Sequence, residues 1–152
     1  MKAIMNKFEI VPVEITHSGM STPPGKPPGT VPILDIGNGQ HIFESSAILE
    51  YLEDKFPQAP NMRGTTPEAA ARVRELMDVM NEACSFLSVY MHNASKLMEG
   101  LEPQSEGAAH VLLDKYHKKL SRLEELADAT GPMVADSTGQ PTIVDCVAMT
   151  TL

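Results

Sequence analysis

Between Val73 and Met98 the apolar or small side chains fall at Val73, Met77, Met80, Cys84, Leu87, Met91, Ala94 and Met98, spaced 4,3,4,3,4,3,4. That rhythm draws one stripe along an α-helix, whereas a strand would alternate at every second residue. Thr66 precedes it as a cap, Pro67 takes the first helical position, and Glu68 complements the positive end of the helix dipole. No proline or glycine interrupts the run before Gly100, so the pattern predicts a helix over 67–99, about 50 Å long. A second helix is predicted from near Ser105, with Ala109, Leu113, Tyr116, Leu120 and Leu123 on one face and Gly131-Pro132 ending the region. Two long helices joined by a short link pack most simply as an antiparallel pair in a bundle. A two-chain coiled coil is the rival for the heptad spacing, but this Met-rich seam lacks the Leu/Ile rhythm such a coil prefers. Thr142-Ile143-Val144-Asp145 is a capping-box pattern ahead of Cys146-Val147-Ala148-Met149 and announces one more helix.

The first third of the chain has a different character. Phe8–Ile15 reads as a strand, with Pro12 unable to donate to a neighbour on one edge. Val31–Asp35 and Gln40–Phe43 read as a hairpin, since Ile36-Gly37-Asn38-Gly39 supplies residues that tolerate positive φ. Glu44–Lys55 reads as a helix with Ser45 as its N-cap, Ile48, Leu52 and Phe56 on one face, and Pro57 as its stop. Ser21–Gly29 holds four prolines and cannot be a regular helix. The composition changes between Phe56 and Thr66, where Pro57, Pro60 and Gly64 mark a linker. The expected organisation is therefore a first domain over 1–57, a linker over 58–65 and an all-helical domain over 66–152.

Charge and composition exclude several function classes. The 152 residues carry 12 Lys+Arg against 20 Asp+Glu, a net charge of −8, so the clustered cations that neutralise nucleic-acid phosphates are missing. No apolar run approaches the ~20 residues of a membrane span. Met1–Lys7 lacks the apolar stretch of a secretory signal. Cys84 and Cys146 form no Cys-x-x-Cys motif, which argues against a disulfide framework or zinc ribbon and makes a reducing cytosol the default.

Three ordered segments carry a resemblance. Gly29-Thr30-Val31-Pro32-Ile33-Leu34 matches a G-x-V-P-x-L strand. Phe43-Glu44-Ser45-Ser46-Ala47-Ile48-Leu49-Glu50-Tyr51-Leu52 matches an E-S-x-A-I-x-x-Y-L helix. Pro141-Thr142-Ile143-Val144-Asp145-Cys146 resembles a T-x-A-D helix start. With this spacing across nearly the whole chain, the sequence resembles the glutathione S-transferase superfamily.

The resemblance implies an α/β thioredoxin-like N-terminal domain followed by an all-α helical bundle. It implies conjugation or transfer of reduced glutathione to a hydrophobic, electrophilic small molecule, in detoxification or small-molecule metabolism. Glutathione would be held by Val31, Pro32, Glu44 and Ser45. The residues suit that ligand on their own chemistry. A cis Val31–Pro32 bond would turn the Val31 N–H and C=O outward, where an extended peptide pairs with them. Ser45 offers a hydroxyl and a helix N-terminus to a carboxylate, and Glu44 offers a partner to an ammonium. Each residue also has an ordinary reading: Ser45 as a simple N-cap, Val31-Pro32 as the start of an edge strand, Glu44 as a solvated acid. The hydrophobic co-substrate would lie over the long helix, with Tyr90 and His92 supplying polar contacts. The resemblance further implies a cytoplasmic homodimer, with glutathione as co-substrate and no metal, nucleic acid or membrane involved.

The chain departs from the family pattern in three places. A strand and helix precede the equivalent of Phe8–Ile15 in the family, and the thiol-activating Tyr, Ser or Cys ends that first strand; only Met1–Lys7 stand there, so no catalytic residue is assigned. Further helices follow the equivalent of the Thr142 helix in the family. The expectation is thus of both domains incomplete: the first strand missing from one, the last helices from the other. Ser21–Gly29 is Pro/Gly-rich where the family has a short helix; Lys26 is a candidate cation there for the glycyl carboxylate, though a solvated lysine is the plainer reading. A non-catalytic interaction or dimerisation domain, or an inactive fragment, is the alternative.

His110, Asp114 and His117 share a helix face, but the two histidines stand about 10 Å apart along the axis, too far to share one ion. Cys84 and Cys146 read as small buried apolar residues. Asn93-Ala94-Ser95 is a glycosylation pattern inside a predicted helix and is set aside.

Overall fold

The computed structural model describes residues 8–13, 15–16, 19–20, 31–96, 98–128, 131–134 and 139–151. Met1–Lys7 and Ser21–Gly29, including Lys26, lie outside the described residues. The chain divides into two compact units, Met1–Pro60 and Asn61–Leu152.

The first unit contains two short antiparallel hairpins and one helix. Strands β1 (Ile15–Thr16) and β2 (Gly19–Met20) pair as Ile15 with Met20 and Thr16 with Gly19. The strand expected over Phe8–Ile15 shrinks to those two residues. A strand exists only where a neighbour takes its N–H and C=O groups, and Phe8–Val13 pair with no described strand. Pro12 has no N–H to offer, and Ile10 stands 71% exposed.

Strands β3 (Leu34–Gly37) and β4 (Gln40–Ile42) pair through Leu34 with Ile42, Asp35 with His41 and Gly37 with Gln40, with a bulge between Asp35 and Gly37. The Asp35 carboxylate stabilises that bulge by accepting the Gly37 N–H at 2.8 Å. Asn38 (φ 55°) and Gly39 (φ 72°) form the two-residue turn, the geometry whose twist matches that of the strands it joins.

Helix α1 (Ser45–Lys55) follows. Ile48 is buried, Leu52 and Phe56 are half-buried on the same face, and the Phe56 N–H closes the last turn on Leu52 O at 3.0 Å. Phe8 meets Phe56 edge-to-face, ring centroids 6.0 Å apart, so the extended N-terminal segment is anchored by one aromatic contact.

The second unit is built on α2 (Pro67–Ala94) and α3 (Glu106–Leu126). Thr66 caps α2 by accepting the Ala69 N–H at 3.2 Å, and Ser105 caps α3 by accepting the Ala108 N–H at 3.2 Å. The helices run antiparallel: Glu82 pairs with Lys119, and one turn later Phe86 lies under the Lys115 ammonium, 5.4 Å from the ring centroid. The buried stripe of α2 is Val73, Leu76, Met77, Met80 and Ala83. Its early part follows the expected seam. It is broader than that seam, taking in Leu76 and Ala83, because this helix packs against more than one neighbour in its unit. Met91, expected on the seam, is 48% exposed. Burial of the stripe inside the chain's own unit argues against the two-chain coiled coil.

Helix α2 ends at Ala94, a turn before the expected 99. Its last carbonyls are taken by side chains from downstream. Gln104 Nε2 donates to His92 O at 2.9 Å and to Ser95 O at 2.8 Å, Asn93 Nδ2 donates to Val89 O at 2.9 Å, and the Ser105 N–H donates to Asn93 Oδ1 at 3.2 Å. Helix ends need such partners.

Helix α4 (Ile143–Thr151) packs on α2 through its first residues, where Ile143 and Val144 are buried. The Asp145 carboxylate holds its start. It accepts the Thr142 N–H at 2.7 Å and the Thr142 hydroxyl at 2.8 Å on Oδ2, and the Met133 N–H at 2.7 Å on Oδ1. The Ile143 N–H donates to Met62 O at 2.9 Å, tying in the turn before α2. That turn is closed by Asn61, whose Nδ2 reaches Gly64 O at 3.1 Å. Gly64 has φ 93°, and a Cβ there would sit 2.8 Å from Ala69.

Asp145→Ala strands three donors in a part-buried site and should cost roughly 2–4 kcal/mol, read as a lowered urea midpoint; an unchanged midpoint would show that the carboxylate carries no stability.

Candidate functional site

Val31, Pro32, Glu44 and Ser45 lie at one end of the β3–β4 hairpin. Leu34–Ile42 is the last pair of the ladder, and both chains leave it on the same side. Val31 and Pro32 precede that last pair and Glu44 and Ser45 follow it, so all four flank the same end of the ladder. The Val31–Pro32 bond is cis. Val31 is 45% exposed, and its backbone makes no hydrogen bond to another described residue.

The head of α1 differs from expectation in one respect. The cap position belongs to Glu44, not Ser45, and Glu44 makes no side-chain capping bond. Its backbone sits at φ 67°, ψ 125°, a region non-glycine residues rarely enter. Ser45 is the first helical residue and is exposed. With Glu44 spending no oxygen on a cap, both carboxylate oxygens and the Ser45 hydroxyl stand at the positive end of the helix dipole. A residue held at such angles in an exposed site is the kind of outlier found at ligand clamps. Sequence reasoning had no signal for it, because glutamate is not a positive-φ residue by preference.

His41 is the other feature the sequence left unmarked. It follows Gln40 on β4, its ring lies 6.5 Å from that of Phe43, and its buried Nε2 has no hydrogen-bond partner.

Tyr90 and His92 belong to the second unit. Tyr90 is half-buried on α2. His92 is exposed, and its Nδ1 pairs with the Glu102 carboxylate of the α2–α3 connection. Of the acid and histidines on the outer face of α3, Asp114 is held by Lys118, whose Nζ donates to Oδ2 at 2.7 Å; that hydrogen bond and the ammonium charge pull the Asp114 pKa down. Among the described residues no group of three or more His, Cys, Asp or Glu side chains is placed to hold a metal ion.

The thiol of Cys146 is not set up as a nucleophile. Burial, and then the adjacent Asp145 carboxylate, push the Cys146 thiol above its ordinary range.

Comparison with known proteins supplies the context. Residues 6–55 match the family model of the glutathione S-transferase N-terminal domain. Glutathione S-transferase F9 of Arabidopsis thaliana is 31% identical, over 79% of this chain and 61% of its own length; glutathione S-transferase F10 of the same plant gives the same figures. A maleylacetoacetate isomerase of Pseudomonas aeruginosa is 37% identical over 47% of this chain and 31% of its own. The chain thus spans about 61% of the length of the plant relatives. No solved structure matches it.

Two measurements check the local physics. Glu44→Gly should raise stability by about 1 kcal/mol, since glycine enters positive φ without steric cost; a lowered unfolding midpoint would mean Glu44 is not strained. Cys146 should alkylate more slowly with iodoacetamide at neutral pH than free cysteine, because less of it is thiolate; peptide mapping showing equal rates would contradict the raised pKa.

Proposed function

Because the chain belongs to the glutathione S-transferase superfamily, we propose that its first unit binds reduced glutathione at the open end of the β3–β4 hairpin. In this reading the two units are the thioredoxin-like and helical domains of a transferase, and the reaction is transfer of glutathione to an electrophilic small molecule. The observation that carries the proposal is the positive-φ backbone of Glu44 at the head of α1, at the same end of the hairpin as the exposed residue Val31. The Val31 N–H and C=O pair with the cysteinyl residue as a short strand would. The Ser45 hydroxyl and the first N–H groups of α1 take the γ-glutamyl carboxylate. Glu44 takes the γ-glutamyl ammonium as a charge-assisted pair. Pro32 fixes the backbone that presents Val31.

Chemistry at the thiol needs a donor that stabilises thiolate, since a thiol with a pKa near ~8.5 is mostly protonated at neutral pH. No residue is assigned that role. The hydrophobic co-substrate lies over α2 in this reading, with Tyr90 and His92 as its polar contacts. A cytoplasmic homodimer belongs to the same reading.

Thermal unfolding of the purified chain with and without reduced glutathione is the test. Ligand at ~100 times its dissociation constant adds roughly 2.7 kcal/mol to a binding-competent fold, so the midpoint should rise. Ser45→Ala and Glu44→Gln should each weaken binding by about tenfold, equivalent to ~1.4 kcal/mol. A cooperative melt indifferent to glutathione would overturn the proposal and favour a non-catalytic interaction module.

A further inference from the structure

The chain has asparagine at positions 6, 38, 61, 81 and 93, and only Asn38 precedes a glycine. The described asparagines differ sharply in how their amides are held. Asn61 is engaged at both ends: Oδ1 accepts the Arg63 N–H at 2.8 Å and Nδ2 donates to Gly64 O at 3.1 Å. Asn93 is engaged at both ends too, with Val89 O at 2.9 Å and the Ser105 N–H at 3.2 Å. Asn81 lies within α2, where the helical backbone is fixed by its hydrogen bonds. Asn38 stands at the exposed tip of the β3–β4 hairpin, and its amide has no partner among the described residues. Next to it, Gly39 has nothing within 4 Å of the place a Cβ would occupy. In a two-residue turn closed by Gly37 and Gln40, the Gly39 N–H lies outside the ladder and is not tied up as a donor.

We propose that Asn38 is a spontaneous modification site, whose deamidation opens the hairpin that carries the candidate site. The Gly39 backbone nitrogen, having given its proton to hydroxide, attacks Cγ of Asn38. A new C–N bond forms, the Cγ–Nδ2 bond breaks, and the side-chain nitrogen leaves as ammonia, taking a proton from water and regenerating the hydroxide. The product is a five-membered succinimide. Water then opens the ring. Cleavage of the new bond at Cγ gives aspartate, whereas cleavage at the original peptide carbon leaves the main chain running through Cγ, as isoaspartate. Water is the co-reactant, and nothing is oxidised or reduced.

Both products put a negative charge at the turn. Isoaspartate also inserts a methylene into the main chain between residues 38 and 39. The two-residue turn works because consecutive residues of ordinary backbone length both take positive φ. A longer backbone there cannot close Gly37 on Gln40, and the register that pairs Leu34 with Ile42, next to the candidate site, is lost. The effect on glutathione binding rests on the reading given under Proposed function; the amide chemistry does not.

The test is to age the full chain at mildly alkaline pH and physiological temperature and to map each asparagine by mass spectrometry. An isoaspartyl methyltransferase reports the rearranged product. Asn38 should lose its amide roughly tenfold faster, or more, than Asn61, Asn81 and Asn93, because only glycine leaves the attacking nitrogen unhindered. Asn38→Gln should remove the early acidic species. An aged chain with Asn38 intact, or with all asparagines reacting alike, would overturn the proposal. Conversion of Asn38 with an undiminished glutathione-dependent rise in melting temperature would overturn its link to the site. A fresh chain that shows no such rise would refute the glutathione reading while the mapping still decides the amide chemistry.

Discussion

The second unit depends on the three hydrogen bonds accepted by the Asp145 carboxylate. They join residues from two places, Met133 in the segment after α3 and Thr142 at the head of α4. The N–H of Ile143, one residue on, reaches back to Met62 before α2. The helix start is therefore a junction where the segments before α2 and after α3 are both fixed. Its apolar part, Ile143 and Val144, is buried, so polar satisfaction and burial hold the same few residues. A half-buried carboxylate that accepts three hydrogen bonds is most stabilising while the whole set stays together. Thr142 and Asp145 thus behave as one unit and not as two separate contributions.

The first unit is organised by backbone angles more than by burial. Its described part has one buried side chain, Ile48. Positive φ at Asn38 and Gly39 sets the hairpin register, and positive φ at Glu44 sets the angle at which α1 leaves β4. The candidate site is what these two choices leave at the hairpin's open end: one strand's exposed backbone beside a helix N-terminus. Its polar groups come largely from the main chain and from two adjacent residues, and so the geometry survives changes in most side chains around it.

Much of this was legible in the sequence. Thr66-Pro67 and Ser105 mark helix starts, Ile36-Gly37-Asn38-Gly39 marks the hairpin connection, which the structure narrows to Asn38-Gly39 by extending β3 to Gly37, and Thr142 with Asp145 marks a capped helix, because each signal rests on chemistry local to a few residues. What failed was non-local. Phe8–Val13, most of the strand expected over Phe8–Ile15, have strand-forming residue types but pair with no described strand, and pairing decides. A narrow seam spaced 4,3,4,3 omits Leu76 and Ala83, which α2 buries because it faces more than one neighbour, and includes Met91, which stands exposed near the helix end. Serine favours the cap position, yet the structure places the cap one residue before Ser45, at Glu44. The four site positions were legible as a cluster only through family resemblance; nothing in their residue types alone distinguishes a ligand clamp from a strand end and a helix start.

The side-chain closure of α2 has a consequence for how this fold varies. Most helices carry their own stop signal, commonly a glycine just past the last turn. Here the stop is delivered from Gln104, across the connection, onto His92 and Ser95. The length of α2 is thus written outside α2. The connection is tied to that end a second time, through the pair between Glu102 and His92. A substitution at Gln104 would therefore change where α2 stops without altering a residue of α2.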